Sequence, residues 1–379
     1  MTEQKEKTAW DSSAATDDKQ SLCNSNNSIT ENENDFNIDD ENYLDYFKKI
    51  DSPDFLNTIT MNKLYDTVYS PKAPLIDGLL YGGTYLFVGA PKVGKSFAMA
   101  QIGYHISCGK DLWNKKVRQG TVLYLALEDN YQRLQNRLYK MFGVNGNDNF
   151  HFATIAHNIG TGLENQLERF VNEHNNVKLI IIDTLQKVRE VGSDKFSYAN
   201  DYQIVTNLKR FADRFNLCIL LVHHTRKQVA DDSFDTISGT NGLLGAADGA
   251  FILQKEKRIS NKATLNITGR DQQDQCLHLE FNPDNCIWEL VEEETELYSE
   301  PKDKLLEKIS TLLSASKPEW IGTATSMIEE LKLDLKPNMV SRKLNVSVSR
   351  LFNEYGIRYE SSRTHDGRQI KLSLMGDKA

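Results

Sequence analysis

Eight residues at positions 89–96 join a glycine-rich turn to a lysine and a hydroxyl, an order that suits the binding of phosphate groups. They read G-A-P-K-V-G-K-S and fit the pattern G-x-x-x-x-G-K-S/T. Glycines let the backbone curl until successive N–H groups point at phosphate oxygens, while the Lys95 ammonium reaches the β and γ oxygens. The Ser96 hydroxyl is placed to meet Mg2+. The residues that we expect to contact ATP are Gly89, Ala90, Pro91, Lys92, Val93, Gly94, Lys95, Ser96 and Phe97.

The elements on either side of this loop are predicted to be a buried strand and a helix. Residues 84–88 form an apolar run of strand length, and a helical pattern starts at Phe97. A phosphate loop needs this context, because the N-terminus of the following helix adds partial positive charge beside the bound anion. A chance glycine-rich turn would account for the eight residues but not for the strand and the helix around them.

Two further apolar runs have the length of buried parallel strands and end in carboxylates. Residues 120–127 are followed by Glu128 and Asp129, and residues 179–182 are followed by Asp183. Ligands of open α/β sheets bind beyond the carboxyl ends of the strands, so these side chains are well placed to meet a nucleotide. We expect Asp183 to order the Mg2+ shell together with the loop serine. Glu128 could instead serve only to favour the start of the helix that follows it.

A fourth apolar run, residues 217–222, ends in His223 and His224. Paired histidines could bind a metal ion, but no third ligand lies at a suitable spacing. A polar side chain at this strand end can instead hydrogen-bond the γ-phosphate and report hydrolysis to the loop that follows. Because side chains alternate along a strand, only one histidine can face the nucleotide, and we favour His224.

Composition and length limit the class of protein. The chain has 379 residues, of which 39% are hydrophobic, enough for two domains or for one large domain with an appendage. The sequence has no run of about 18 apolar residues, and its N-terminus is polar. We therefore predict a cytoplasmic protein without a membrane span or a secretory signal. The 5 cysteines form no C-x-x-C pair, which is typical of reduced thiols.

The negative charge is concentrated at the N-terminus. Residues 1–45 hold 12 acidic residues against 3 lysines, while the formal net charge of the whole chain is -8. An acidic average therefore does not exclude a nucleic-acid partner. Residues 1–40 lack an apolar period and are predicted to be a disordered tail. Residues 41–71 are weakly helical and predict an arm that packs either on a neighbouring subunit or on its own core.

The order of these motifs resembles that of the RecA-like ATPase superfamily. More narrowly, it is similar to the plasmid-type hexameric replicative helicases called RepA and to related ATPases of mobile elements. The resemblance covers roughly residues 72–292 and rests on four segments, namely 89–96, 125–129, 180–184 and 222–227. It implies an α/β fold, in which a RecA-like P-loop NTPase core is built on a mainly parallel sheet.

The resemblance also implies roles for charged side chains near the γ-phosphate. Glu128 would polarise the attacking water, which agrees with the need for a base while Asp183 serves the metal ion. The relatives assemble as rings, so we expect a homo-hexamer in which an arginine of the next subunit reaches the nucleotide. Arg270 is our candidate and Arg258 the second choice, although either could be an ordinary surface arginine.

Two loops are expected to face the channel of such a ring and to contact single-stranded DNA. They are residues 186–195, after the metal carboxylate, and residues 226–238, after the paired histidines. Arg226 and Lys227 suit a role in following the phosphates of the strand.

The C-terminal part differs in composition from the core. Residues 293–301 are an acidic linker, and residues 302–375 carry 13 Lys/Arg against 9 Asp/Glu. Helical patterns followed by a hairpin are the winged-helix arrangement. Residues 340–345 would start its recognition helix, and Arg363 and Arg368 would lie in its wing. A small protein-interaction module of the same shape is the alternative, because the excess of positive charge is modest.

The sequence therefore predicts an ATP-hydrolysing, DNA-associated motor that uses Mg2+, in its simplest form a ring-forming replicative helicase of a plasmid or mobile element. Two other classes fit the same motifs. One is a non-translocating regulator whose DNA binding is switched by ATP, and the other is a recombination mediator that forms filaments on single strands.

Overall fold

A computed structural model describes most of the chain beyond the N-terminal tail. The described residues are 56, 58–69, 73–189, 198–225, 234, 237, 241–255, 257, 259–270, 272–295, 301–364 and 367–375. The predicted disordered tail, residues 1–40, lies outside them. The chain divides into a larger compact unit, residues 70–317, and a smaller one that joins residues 318–379 to the N-terminal residues up to Tyr69.

The helices are α1 (Met61–Asp66), α2 (Lys95–Cys108), α3 (Tyr131–Phe142), α4 (Leu163–Glu173), α5 (Leu185–Val188), α6 (Tyr198–Phe215), α7 (Asn241–Ala246), α8 (Lys304–Ser310), α9 (Ala324–Leu331), α10 (Pro337–Val346) and α11 (Val348–Tyr355). The strands are β1 (Gly83–Gly89), β2 (Thr121–Ala126), β3 (Phe150–Ala153), β4 (Val177–Asp183), β5 (Cys218–His224), β6 (Gly249–Lys255), β7 (Lys262–Gly269), β8 (Gln275–Asn282), β9 (Ile287–Thr295), β10 (Glu319–Thr323), β11 (Ile357–Thr364) and β12 (Gly367–Leu374).

The larger unit is built on one nine-stranded sheet in the order β3-β2-β4-β5-β1-β6-β7-β8-β9. Strands β1 to β6 pair in parallel, and β7, β8 and β9 extend the sheet as an antiparallel meander. The prediction of an α/β fold with a mainly parallel sheet is confirmed. This order places the ends of β4, β5 and β1 side by side, which brings the predicted loop, carboxylate and histidine to one edge.

The parallel strands are covered on both faces. All residues of β1 and β2 are buried, which explains why these strands read as continuous apolar runs rather than as alternating patterns. Two apolar clusters lie on opposite faces of the sheet. Tyr85 and Phe87 of β1 belong to one, and Leu86 and Val88 belong to the other. A sheet packed in this way holds its strand ends rigidly.

Strand β9 supports the phosphate loop by contacting both the loop and helix α2, which follows the loop. The backbone of Trp288 in β9 exchanges two hydrogen bonds with the Gln101 side chain of α2, at 2.8 and 2.9 Å. Its indole donates to the Gly94 carbonyl at 3.3 Å. A Cβ atom at Gly94 would lie 2.8 Å from this indole, and φ there is 111°, so both contact and backbone conformation require glycine.

The smaller unit contains a three-stranded antiparallel sheet in the order β10-β12-β11, helices α9 to α11 and the arm helix α1. The predicted helices and hairpin are present, whereas β10 was not predicted. The helical pattern at 337–355 is divided at Ser347, whose ψ of 17° ends α10. The sequence puts the change of domain at 302, but α8 and the residues up to 317 belong to the larger unit.

None of the helices in the described part of the chain is long and apolar enough to cross a membrane.

Candidate functional site

The phosphate loop leaves β1 at the carboxyl edge of the sheet and enters α2 at Lys95. Ala90, Pro91 and Lys92 are exposed, while Val93 is buried and anchors the curl of the loop. Lys92 has a φ of 65° and Gly94 one of 111°, so the backbone turns through two left-handed positions. Such a turn directs N–H groups into one concave space, as anion binding needs.

The Lys95 side chain lies inside this turn. Its ammonium donates to the carbonyls of Gly89 at 2.7 Å and Ala90 at 3.0 Å. The side chain is nearly buried, and this burial lowers the pKa of Lys95 to about 8, although the charges of Asp183 and Glu128 act to raise it. The loop therefore holds an ammonium that gains a strong partner when an anion enters.

Asp183 ends β4 beside the first turn of α2. Its Oδ2 atom accepts a hydrogen bond from the Ser96 hydroxyl at 2.7 Å and another from the Tyr124 hydroxyl at 2.7 Å. Burial raises the pKa of Asp183, and these two donors oppose that shift. A hydroxyl and a carboxylate at this spacing are the oxygen ligands that Mg2+ uses, so the residues fit the predicted metal site.

The two carboxylates after β2 have different partners. Asp129 forms ion pairs with Arg133 at 3.1 Å and with Arg137 at 2.7 Å. Glu128 is exposed, and its Oε1 accepts a hydrogen bond from the Thr184 hydroxyl, one residue beyond Asp183, at 3.3 Å. The structure thus ties Asp129 to α3 and leaves Glu128 beside the end of β4.

The two histidines at the end of β5 face opposite sides of the sheet. His224 is in register with Gly89, while His223 is in register with Val88 and is buried. The Nδ1 atom of His224 lies 3.2 Å from the Lys95 ammonium. Burial, and then the charge of Lys95, lower the pKa of His224, which favours the neutral ring. His224 is therefore the histidine that lies at the phosphate loop, as alternation along the strand predicts.

Arg270 lies at the other end of the sheet. It follows β7, whose last residue pairs with Gly249 at the start of β6, whereas the phosphate loop pairs with Leu253. Gly249 and Leu253 are four residues apart along β6, a separation of about 13 Å in a strand. The exposed Arg270 guanidinium donates to the Gly245 carbonyl at 3.0 Å. Arg270 does not reach the phosphate loop of its own chain, so a role at the nucleotide requires a neighbouring subunit.

Several predicted contacts fall outside the described residues. Among them are Arg258, Arg226 and Lys227, together with most of the two predicted channel loops. In the described part of the chain no three side chains of the His, Cys, Asp or Glu type are grouped to hold a metal ion.

Three residues at the site were not recognised in the sequence. Tyr124 and Trp288 read there as apolar strand residues, although a buried phenol or indole normally needs a hydrogen-bond partner, and this signal could have revealed them. Arg137 reads as a helix-surface charge. It is largely buried, binds Asp129, and lies over the ring of Phe97 at 5.2 Å from the centroid.

Comparison with known proteins adds one family match. Residues 54–230 match a family model described as an AAA domain, and this span contains Lys95, Glu128, Asp183 and His224. No curated protein matches the chain significantly.

Three solved structures to which the chain is similar each share 16% sequence identity with it. One is an ATPase domain, with a TM-score of 0.47 over 67% of this chain and 98% of that one. Another is a DnaB-like replicative helicase studied with primase, with a TM-score of 0.46 over 55% and 57%. The third is a KaiC-like protein from Pyrococcus horikoshii OT3, with a TM-score of 0.42 over 59% and 99%.

Proposed function

We propose that this RecA-like P-loop ATPase hydrolyses ATP with Mg2+ and uses the energy to move on DNA, as a ring-forming replicative helicase of a plasmid or mobile element. The resemblance to RecA-like P-loop ATPases is confirmed by the AAA domain match over residues 54–230. The observation that carries the proposal is the meeting of Lys95, the Ser96–Asp183 pair, Glu128 and His224 at the ends of neighbouring strands.

The proposed chemistry divides the work among these side chains. Loop N–H groups and Lys95 bind the phosphates, and Ser96 and Asp183 hold Mg2+, which would offset charge on the β and γ oxygens. Glu128 orients the attacking water from its place beside Thr184. Because Asp129 is bound to two arginines, it is not free to share that role. His224 contacts the Lys95 ammonium and is placed to sense the γ-phosphate from the end of β5.

A homo-hexameric ring is the assembly that we propose, and the position of Arg270 supports it. An exposed arginine at the edge opposite the phosphate loop cannot serve its own chain, but it can serve the next chain of a closed ring. We propose the smaller unit as a winged-helix domain that positions the motor on duplex DNA. Cytoplasmic location remains a prediction.

The experiment measures ATP turnover with and without single-stranded DNA, together with the mass of the particle in solution. We expect turnover that needs Mg2+, rises with single-stranded DNA and accompanies unwinding of a forked duplex by a six-subunit particle. Stimulated turnover without any unwinding would remove the helicase proposal. Filaments seen by electron microscopy would then favour a recombination mediator, and turnover indifferent to DNA would favour an ATP-switched regulator.

A further inference from the structure

Tyr124 lies wholly buried in β2, yet its hydroxyl reaches the metal carboxylate of the neighbouring strand. Its side chain is 0% exposed, and the hydroxyl donates to Asp183 Oδ2 at 2.7 Å. Ala126, two residues later on the same face of β2, is in register with Asp183. The phenol is therefore long enough to span one step of the sheet and end at the carboxylate.

The hydrogen bonds to Asp183 are distributed unevenly between its two oxygens. A carboxylate oxygen offers about two lone-pair directions. The Ser96 and Tyr124 hydroxyls, each at 2.7 Å, occupy both of those directions on Oδ2. This arrangement fixes the rotation of the carboxyl group and leaves Oδ1 as the oxygen that can accept hydrogen bonds from water ligands of Mg2+.

A buried carboxylate needs such donors, because an ionised oxygen removed from water is stable only when it is hydrogen-bonded. Asp183 is 5% exposed. Ser96 is expected to contact Mg2+ itself, so its hydroxyl is shared between the metal ion and the carboxylate. Tyr124 has no such second duty and is too deep in the core to touch a nucleotide. Its hydroxyl thus donates to Asp183 without contacting the metal ion or the nucleotide.

We propose that Tyr124 is a positioning residue for the Mg2+ site, which holds the Asp183 carboxylate so that Oδ1 faces the metal shell. The inference rests on the proposed function, because it assumes that Asp183 serves Mg2+. It goes further in assigning the orientation of the metal carboxylate to a core residue that never meets substrate.

The test replaces the hydroxyl without changing the packing. Tyr124→Phe keeps the ring, and Tyr85→Phe is the matched control, since Tyr85 is another buried tyrosine in the same apolar cluster. Mn2+ binding to the full chain with saturating ADP is followed by electron paramagnetic resonance. Partners of this kind change metal affinity by about 10- to 100-fold. We expect Tyr124→Phe to weaken Mn2+ binding by at least about tenfold and Tyr85→Phe to leave it unchanged.

A double-mutant cycle separates positioning from a general loss of structure. If Tyr124 acts through Asp183, Tyr124→Phe has no further effect on Mn2+ affinity in a chain that already carries Asp183→Asn. An additive loss in that background would overturn the inference, as would Mn2+ affinity equal to the wild type in Tyr124→Phe. Equal weakening by both tyrosine variants would also overturn it, because a structural effect would then be sufficient.

The measurements distinguish a failure of the proposed function from a failure of the role proposed for Tyr124. Wild-type protein that binds no Mn2+ with ADP would overturn the proposed function and this inference with it. Normal wild-type binding together with an unaffected Tyr124→Phe variant would overturn the inference alone. Thermal unfolding of each variant shows whether it is folded. If Tyr124→Phe does not fold, fluorotyrosine takes its place, because fluorination makes the phenol a stronger acid and a weaker base. This change is then expected to alter the Mn2+ affinity.

Discussion

Basic side chains lie both at the nucleotide edge of the larger unit, meaning the phosphate loop and the ends of β4 and β5, and on helix α10 of the smaller unit. The two sets have different partners. Lys95 is held by carbonyls of its own loop, at 2.7 and 3.0 Å. In the smaller unit, Arg342 donates to the Asp66 carboxylate at 3.0 Å and to the Asn62 side chain at 3.2 Å. Arg368 donates to the Asp66 carbonyl. The arm helix α1 thus binds one arginine of the predicted recognition helix and one of the predicted wing.

The difference concerns what a ligand has to displace. At the phosphate loop an anion meets an ammonium whose present partners are neutral carbonyls, in a largely dry position where charge interactions are strong. At α10 a phosphate would compete with a carboxylate that is already bound. The Arg342–Asp66 pair is about one-third to one-half exposed, and such pairs contribute about 0–1 kcal/mol. The first site is organised for a ligand, whereas at the second the arm helix already occupies the arginines.

The largest effect is expected from Lys95→Ala. Removing the buried ammonium of Lys95 deletes the charge that meets the β and γ oxygens, so hydrolysis should fall by about 1000-fold. Lys116→Ala is the control, because this exposed lysine pairs with Asp111 and lies outside the site. Steady-state ATP turnover measures both variants. Substantial turnover by Lys95→Ala would show that the loop is not the nucleotide site.

The next effect separates the two neighbouring carboxylates. Glu128→Gln keeps the size of the side chain and loses the water-orienting charge, so turnover should fall about 100- to 1000-fold while ATP still binds. Asp129→Asn should instead lower the unfolding free energy by weakening the ion pairs with Arg133 and Arg137. Turnover and binding of a fluorescent ATP analogue distinguish the two. A slow Asp129→Asn enzyme beside an active Glu128→Gln enzyme would reverse the assignment.

Much of the nucleotide edge was predictable because its functional residues lie within short stretches of sequence. The spacing within 89–96 and the apolar runs that end in Asp183 and His224 predict both the elements and the edge where they meet. The split between Glu128 and Asp129 was not predictable, since it depends on Arg137 reaching back from α3. Tyr124 was hidden for the same reason: its partner is distant in sequence, and only the register of β2 with β4 brings them together.

The smaller unit was predictable in its elements but not in its contacts. Periodicity predicts the helices and the hairpin, but it does not reveal that α1 packs within this unit, nearly 280 residues away in sequence from α10, or that Ser347 divides the last helical pattern. Val340, Ser341, Leu344 and Asn345 are buried, so most of the predicted recognition segment faces the core of the unit. Long-range packing decides such assignments, and local pattern does not contain it.

A smaller effect follows from the acidity of Lys95. Its pKa is about 8 in the protein without nucleotide, so the ammonium loses its proton as the pH rises through 8. Because phosphates bind the protonated form, ATP affinity should be full below that pH and fall about tenfold between pH 7 and pH 9. Fluorescence titration at each pH measures the dissociation constant. An affinity that stays constant to pH 9 would contradict the lowered pKa, and Lys116→Ala should follow the wild-type profile.

The smallest effect tests whether the arm is held only loosely on α10. Arg342→Ala removes its partly exposed contacts with Asp66 and Asn62, so the unfolding free energy in urea should change by less than about 1 kcal/mol. Asn345→Ala is the matched comparison, because this nearly buried amide donates to the Tyr65 carbonyl at 2.9 Å and accepts from the Tyr359 hydroxyl at 2.6 Å. Removing this amide leaves the Tyr65 carbonyl and the Tyr359 hydroxyl without these hydrogen bonds. The unfolding free energy should therefore fall by about 1–3 kcal/mol. Equal losses in the two variants would mean that the arginine contact is structural, and the arm would then be a fixed part of the unit rather than a displaceable cover.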